Sequence, residues 1–495
     1  MTRPRSSTTA SLPNGEQSTV LCIYTGGTIG MRPTAQGYKP AKSYLFNQLA
    51  RNPKFHDATV PITQLTAVRH SGSVQLDALT LPKSSFEGTV RYAVLEYETL
   101  LDSSSISFQD WLKITHTIFR NYKLFDAFVV LHGTDTMSYT ASMLSFMLEN
   151  LGKSVILTGS QIPISQLRND AQENLLSALI LAGHFVIPEV SLFFHHELFR
   201  GNRTTKVNAI GFDAFASPNC LPLATVGVDI TVFWPRIHRP TAHAAFRVAD
   251  VKEANVASLF IFPGIQASTV RALAGAASLQ GLVLHSFGSG NIPDNADLMA
   301  ALTEAADAGI VVVNITQCLV GSVLPLYVAG VALQAIGVHS GYDMTAEAAL
   351  TKLAYVLGTK GDASLLGRNL RGELTLPRAK LFESPSTEPA PLRHRLSDLF
   401  WAIQHGDDDK VAQAVSDAEV VNAVNVDGMT ALHLAAKVGN TRATRLLLDA
   451  GAFCFAKNER GETPLFLALT AKHADVIGVL EACGAHLNAS EQERL

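Results

Sequence analysis

No apolar run in this sequence approaches the ~20 residues that a membrane-spanning helix needs, because the longest candidates are broken by polar residues and glycine. A membrane partner is not expected. Cysteine is sparse: Cys22, Cys220, Cys318, Cys454 and Cys483 are odd in number and widely scattered, giving neither a disulfide framework nor the paired spacing of a zinc site. A reducing, cytoplasmic compartment fits that usage. Charge of one sign is also missing. The formal net charge is −4, and no segment concentrates Lys and Arg enough to follow a phosphate backbone, so nucleic acid is not an expected partner. Residues 1–18 are rich in Ser, Thr, Pro and Arg without the apolar stretch of a secretion signal, and read as a disordered tail. His195 and His196 invite a metal reading. Placed on a strand they would face opposite ways and could not easily share one ion, so no metal is assigned.

What is present is a chain of 495 residues, too long for one ordinary core, so two or three packed units are expected. Over residues 19–233, short β-branched runs (18–24, 127–131, 154–157, 189–194) alternate with helical segments at 137–151 and 168–183. That pattern predicts a mostly parallel sheet covered on both faces. A Pro- and His-containing connection over 234–253 leads to a smaller α/β series over 254–378, with strands at 258–262, 281–284 and 309–314. Residues 379–393 have the composition of a linker. Beyond them, over 394–495, the segment Asp427-Gly-Met-Thr-Ala-Leu-His-Leu-Ala-Ala436 returns as Arg460-Gly-Glu-Thr-Pro-Leu-Phe-Leu-Ala-Leu469. Thr430 and Thr463 are thus 33 residues apart, the ankyrin period, and a degenerate copy at 399–406 makes about three repeats, the fewest expected to share a core.

Three segments carry chemistry. Tyr24-Thr-Gly-Gly-Thr-Ile-Gly30 follows a strand, where glycines let the backbone turn sharply and approach a ligand. His132-Gly-Thr-Asp-Thr-Met137 lies between a strand and a helix. There Thr134 and Asp135 are suited either to helix capping or to a site in which backbone N–H groups stabilise an oxyanion and Asp135 balances a nearby lysine. Arg200-Gly-Asn-Arg-Thr-Thr-Lys206 offers a lysine able to tune a hydroxyl nucleophile if it lies beside Thr134 and Asp135.

In order and approximate spacing, these segments resemble the asparaginase/glutaminase family, most closely its cytoplasmic type I branch. The resemblance runs from about Thr19 to Leu376 and includes Gln36-Gly-Tyr38, Ser145–Gly152, Thr158–Pro163, Gly211–Asn219 and Asn369–Thr375. Two departures, Cys22 for an aliphatic residue and Ala127 for a glycine, fall on strands away from the chemistry. The resemblance implies the two-domain α/β asparaginase fold, here followed by an all-α ankyrin block. It also implies L-asparagine hydrolysis through an acyl-enzyme, without a cofactor. It assigns Thr28 as nucleophile, Tyr38 to a flexible lid, and Asp102, Ser103 and Ser104 to the substrate's α-amino and α-carboxylate groups. Thr134, Asp135 and Lys206 become the second triad. Asn291 is offered to a neighbouring subunit, which implies a homodimer or homotetramer, and the ankyrin block suggests a protein partner. Cys318 matches a segment that forms an allosteric pocket in some type I enzymes, and a small buried residue after a strand explains it as well.

Two rival functions differ in kind. Lysophospholipase or transacylase activity of the α/β-hydrolase type would show Gly-x-Ser-x-Gly, and no such pentapeptide occurs. An idle scaffold carrying a binding module would have lost one of Thr28, Thr134, Asp135 or Lys206, and all four are present.

Overall fold

The computed structural model describes residues 17–35, 37–86, 88–239, 244–276, 278–323, 328–376, 392–425 and 427–495. Most of the expected tail, Gln36 of the lid motif and most of the expected linker lie outside the described residues. At the edges of those segments the strand Gln17–Gly26 starts inside the expected tail, and the helix Leu392–His405 starts inside the expected linker.

The first unit is built on a ten-stranded sheet. At its centre Gln17–Gly26 pairs in parallel with Thr89–Leu101 on one side and Ala127–Leu131 on the other. Val155–Thr158 and Val190–Phe194 continue the parallel run. Residues Val20 to Tyr24 are fully buried because both sheet faces are covered. Their alternation shows how: Val20, Cys22 and Tyr24 pack on Leu175 and Leu179 of helix Ala171–His184. Leu21 and Ile23 pack on Ile114 and Ile118 of helix Phe108–Asn121, and on Leu144 of helix Met137–Met147. Cys22 and Ala127 both sit in this core, Ala127 at the N-terminal end of its strand and both away from the strands' C-terminal ends.

The parallel run accounts for the middle of the sheet and not for its edges. Gly72–Thr80 and Thr63–Arg69 extend one side in antiparallel fashion, and Glu197–Arg200, Ala224–Val226 and Ile230–Val232 extend the other. The histidine pair lies in one of these hairpins and not on a strand. Phe194 pairs with Glu197, so His195 and His196 form a two-residue turn with φ of 46° and 71°. Their rings therefore lie side by side, 5.1 Å apart, instead of facing opposite ways. Among the described residues no group of three or more His, Cys, Asp or Glu is arranged to hold a metal ion.

The second unit is a four-stranded parallel sheet in the order Val256–Phe260, Gly281–Ser286, Val311–Thr316, His339–Ser340. Helix Ala346–Gly358 joins it to helix Met137–Met147 of the first unit through a shared core that includes Met143, Phe146, Ala349 and Leu353.

The repeat block is helical. Thr430 caps helix Ala431–Val438 by accepting from the His433 N–H, and the His433 ring accepts the Thr430 N–H in return. The other ring nitrogen of His433 reaches Glu462 O at 3.0 Å, in the next repeat. The Thr-x-Leu-His pattern thus encodes both a cap and an inter-repeat tie. In the last repeat Phe466 stands in place of that histidine, and Glu491 accepts the Thr463 N–H instead.

The block docks on the N-terminal ends of the central strands. Phe455 packs so closely on Gly152 that a Cβ there would lie 2.6 Å from its ring. Buried Lys153 donates to Tyr122 O, Phe125 O and, at 3.1 Å, His486 Nε2. Burial and the Lys153 charge hold His486 neutral, its pKa pulled down to about 4. Lys123 adds to this repulsion and Asp126 opposes it. The docked state therefore binds fewer protons than the undocked one between the ordinary histidine value and about 4, so docking weakens as pH falls through that window. The melting temperature of the full chain is expected to drop between about pH 7 and about pH 5, and His486→Gln to flatten that slope. An unchanged slope in the variant refutes the latch.

Candidate active site

Strands that run in parallel deliver their C-terminal ends to one edge of the sheet, and there the sequence places its glycine- and threonine-rich loops. Strand Gln17–Gly26 ends in Gly26 and Gly27, with φ of +136° and +87°. A Cβ on Gly26 would lie 2.1 Å from Leu101 O, and one on Gly27 would lie 2.4 Å from Gly133 N. The two backbones touch with no side chain between them. Thr25 Oγ1 donates to Leu131 O at 2.9 Å, tying the first loop to the root of the second. Thr28 opens the short 3-10 turn Thr28–Gly30 and is half-buried. Its hydroxyl has no hydrogen-bond partner among the described residues.

The second loop rests on a buried histidine. His132 Nδ1 lies 2.7 Å from Gly133 O and Nε2 lies 2.9 Å from Thr140 Oγ1, which also accepts the Trp111 indole N–H. Burial pulls the His132 pKa down to about 4, so the ring is a neutral brace. Thr134 and Asp135 do not cap the following helix. Thr136 occupies the N-cap position, and its hydroxyl donates to Ser103 O at 2.7 Å. The side chains of Thr134 and Asp135 are engaged elsewhere: Lys206 Nζ donates to Thr134 Oγ1 at 2.9 Å and to Asp135 Oδ1 at 2.8 Å. Lys206 is mostly buried, its side chain 21% exposed, whereas Asp135 is 61% exposed and faces outward.

Lys206 is held by the second unit. Arg203, three residues before it, makes a bidentate pair with Asp343 at 2.9 and 2.7 Å, and Thr205 donates to Glu347 at 2.7 Å. Asn202 is anchored to Ser145 and to Arg371 O. Burial raises the Glu347 pKa, and the Arg203 guanidinium lowers that of Asp343 although burial opposes it.

The segment 101–106 lies against the same place. A Cβ on Gly133 would be 2.4 Å from Ser103 Oγ, and Asp102 accepts the Ser104 N–H at 3.0 Å. Tyr38 stands on the hairpin Met31–Thr34/Gly37–Pro40, exposed, without a hydrogen bond to this cluster. Asn291 closes a turn on Phe287 in the second unit and bonds to none of these loops. Thr134, Asp135 and Lys206 thus form one bonded group, Ser103 packs on it, and Thr28 is joined to it through Gly27 and Gly133. Tyr38 and Asn291 stay apart within the single chain.

One neighbour carried no assigned role in the sequence reading. Thr134 Oγ1 donates to Gln161 Oε1 at 3.2 Å. The Gln161 amide cannot usefully flip, because Nε2 already donates to Asn208 O and Gly211 O, at 3.4 and 3.3 Å. The available signal was its place just after a strand end, in Thr158-Gly-Ser-Gln161.

The profile of the family described as "Asparaginase, N-terminal" matches residues 19–238, and "Glutaminase/Asparaginase C-terminal domain" matches 255–367. "Ankyrin repeats (3 copies)" matches 399–491. Among curated proteins, the 60 kDa lysophospholipase of Mus musculus is 42% identical over 459 residues, covering 88% of this chain and 80% of the relative. The L-asparaginase of Dirofilaria immitis is 37% identical over 500 residues, covering 96% and 84%. Among solved structures, L-asparaginase I of Vibrio cholerae aligns with a TM-score of 0.62 at 40% identity, over 73% of this chain and 100% of that one.

Gly27 has φ +87° and ψ 174°, a region essentially restricted to glycine. Gly27→Ala is expected to destabilise the protein by at least about 1–3 kcal/mol from backbone strain alone, with overlap on Gly133 added. Chemical denaturation measures this, and a change near zero refutes the close approach.

Proposed function

The chain belongs to the asparaginase family, and on that premise we propose that it hydrolyses L-asparagine to L-aspartate and ammonia. The observation that carries this reading is the bonded group of Thr134, Asp135 and Lys206, set beside a hydroxyl, Thr28, that no other described residue engages. Breaking an unactivated amide requires a nucleophile and a proton relay in one place. In the proposed reaction Thr28 Oγ attacks the side-chain carbonyl carbon, the C–N bond breaks, and ammonia leaves with the proton given up by the nucleophile. Water then attacks the resulting ester, releasing aspartate and restoring the Thr28 hydroxyl. Thr134 and Lys206 pass the proton, Asp135 offsets the ammonium, and Gln161 orients the Thr134 hydroxyl.

Asp102, Ser103 and Ser104 are proposed to hold the α-amino and α-carboxylate groups, and Tyr38 to close over them. Asn291 of the partner subunit would complete the site in a homodimer or homotetramer. We further propose a cytoplasmic location and a protein-binding role for the repeats, which dock away from the strand ends that carry these loops.

Lysophospholipase activity is the second reading, raised by the name of the mouse relative. Against it stands the polar character of the cluster, made of Thr, Asp, Lys, Ser and Gln side chains that suit a small zwitterion better than an acyl chain.

Ammonia release from asparagine and from glutamine, run beside fatty-acid release from lysophosphatidylcholine, separates the readings. Ammonia from asparagine is expected; fatty acid without ammonia overturns the proposal. Thr28→Ala and Asp135→Ala are expected to abolish turnover, and Gln161→Leu to lower kcat by about 10²-fold or less, as loss of an orienting contact to a proton relay should. Full activity in Thr28→Ala refutes the nucleophile. A chain ending at Leu381 is expected to keep its activity; if that chain folds but is inactive, the repeats belong to the enzyme.

A further inference from the structure

Gln161 is placed by its backbone more than by its side chain. Its side-chain contacts, to Thr134 Oγ1 at 3.2 Å and to Asn208 O and Gly211 O at 3.4 and 3.3 Å, lie at the long end of the hydrogen-bond range. Thr134 Oγ1 accepts from Lys206 at 2.9 Å and gives its one proton to Gln161, so the position of Gln161 Oε1 sets the direction of that proton. Whatever fixes the Gln161 backbone fixes the relay with it.

That group is Asp170. Its Oδ2 accepts the Gln161 N–H at 2.9 Å, and its Oδ1 accepts the Ile162 N–H at 3.1 Å. The residue is only 7% exposed. Burial raises the Asp170 pKa, and the N–H groups of Gln161 and Ile162, which favour the ionised form, oppose that shift. Asn174 Nδ2 donates to Asp170 Oδ2 at 3.4 Å and to Gly159 O at 3.0 Å, bracing both the carboxylate and the start of the same segment. Gly159 in turn is pressed on the second loop, where a Cβ would lie 2.2 Å from His132 O.

Helix capping does not account for this carboxylate. Asp170 stands at the N-cap of helix Ala171–His184, where an aspartate ordinarily accepts an N–H of the first turn, and its side chain makes no such bond. Asn169 serves there instead, accepting the Gln172 N–H at 3.1 Å. The Asp170 carboxylate is turned across the loop, onto the segment that carries Gln161.

We propose that Asp170 is a positioning residue for the amide hydrolysis, acting on the Thr134 proton through Gln161. Among the described residues its side chain bonds to none of Thr28, Thr134, Asp135 and Lys206. The role rests on the reaction proposed above. Removing the carboxylate slows the chemical step and leaves the substrate's α-amino and α-carboxylate groups held as before, because residues 102–104 are proposed to hold them.

The test is steady-state ammonia release from asparagine by the full chain, by Asp170→Ala, Asp170→Asn and Gln161→Leu, and by the double variant. Asp170→Ala is expected to lower kcat by between about threefold and about 10²-fold, with KM changed by less than about twofold. Asp170→Asn, which keeps one acceptor oxygen, is expected to fall between it and the native chain. Asp170→Ala combined with Gln161→Leu is expected to match Gln161→Leu alone within about twofold, since a residue that acts through Gln161 then has nothing left to act on. Hydrogen exchange of the Gln161 and Ile162 amides is expected to quicken in Asp170→Ala. A native chain that releases no ammonia removes the hydrolase reading and this role with it. In an active native chain, an unaltered kcat in Asp170→Ala, a loss confined to KM, losses that multiply in the double variant or unaltered amide exchange each overturn the role of Asp170 and leave the hydrolase reading standing. Should Asp170→Ala lose its native circular dichroism, the same comparisons are made with Asp170→Asn, whose unaltered kcat likewise overturns the role.

Discussion

Two peptide backbones meet at the C-terminal edge of the large sheet, where Gly27 lies too close to Gly133 for a Cβ on Gly27, and Gly133 lies too close to Ser103 for a Cβ of its own. The loop that carries Thr28 and the loop that carries Thr134 and Asp135 are fixed relative to each other by that approach, and Ser103 closes on Gly133 from the third side. Such contact is possible only because both loops leave adjacent parallel strands, which deliver their ends to one edge in register. The glycines matter for what they lack: a methyl group on Gly27 would push its loop away from Gly133, and one on Gly133 would push Ser103 away.

The lysine of the cluster reaches it by a different route. Lys206 sits at the end of a loop whose preceding residues are clamped by the second α/β unit, Arg203 on Asp343 and Thr205 on Glu347. The smaller unit therefore acts on the site without placing a described side chain in the bonded group. The bidentate geometry of Arg203 and its burial make the clamp stiff, since breaking one partner would strand a buried charge. That stiffness is what allows a flexible side chain with four rotatable bonds to donate to two acceptors at once.

The repeat block adds a third level of organisation at the other end of the same strands. It is joined through Phe455, Lys153 and His486, a contact whose polar part depends on the histidine being neutral. The glycine- and threonine-rich loops and the repeats thus occupy opposite ends of one sheet.

Local pattern made much of this legible. The continuous apolar run ending at Tyr24 marks a central strand, because only a strand covered on both faces loses all its polar positions. The 33-residue recurrence of Thr430 and Thr463 marks the repeats, because each Thr caps a helix and that requirement is local. The antiparallel edges and the turn at His195 and His196 were not legible, since pairing partners and φ > 0 at both residues follow from neighbours and not from composition. The amino-acid order alone determined which residues could do chemistry and which strand ends would carry them. Only the tertiary structure decided that Thr134 and Asp135 engage Lys206 instead of capping a helix, and that Gln161 fixes the Thr134 hydroxyl. Each of these is a matter of distance between segments far apart in the chain, and distance is settled by packing.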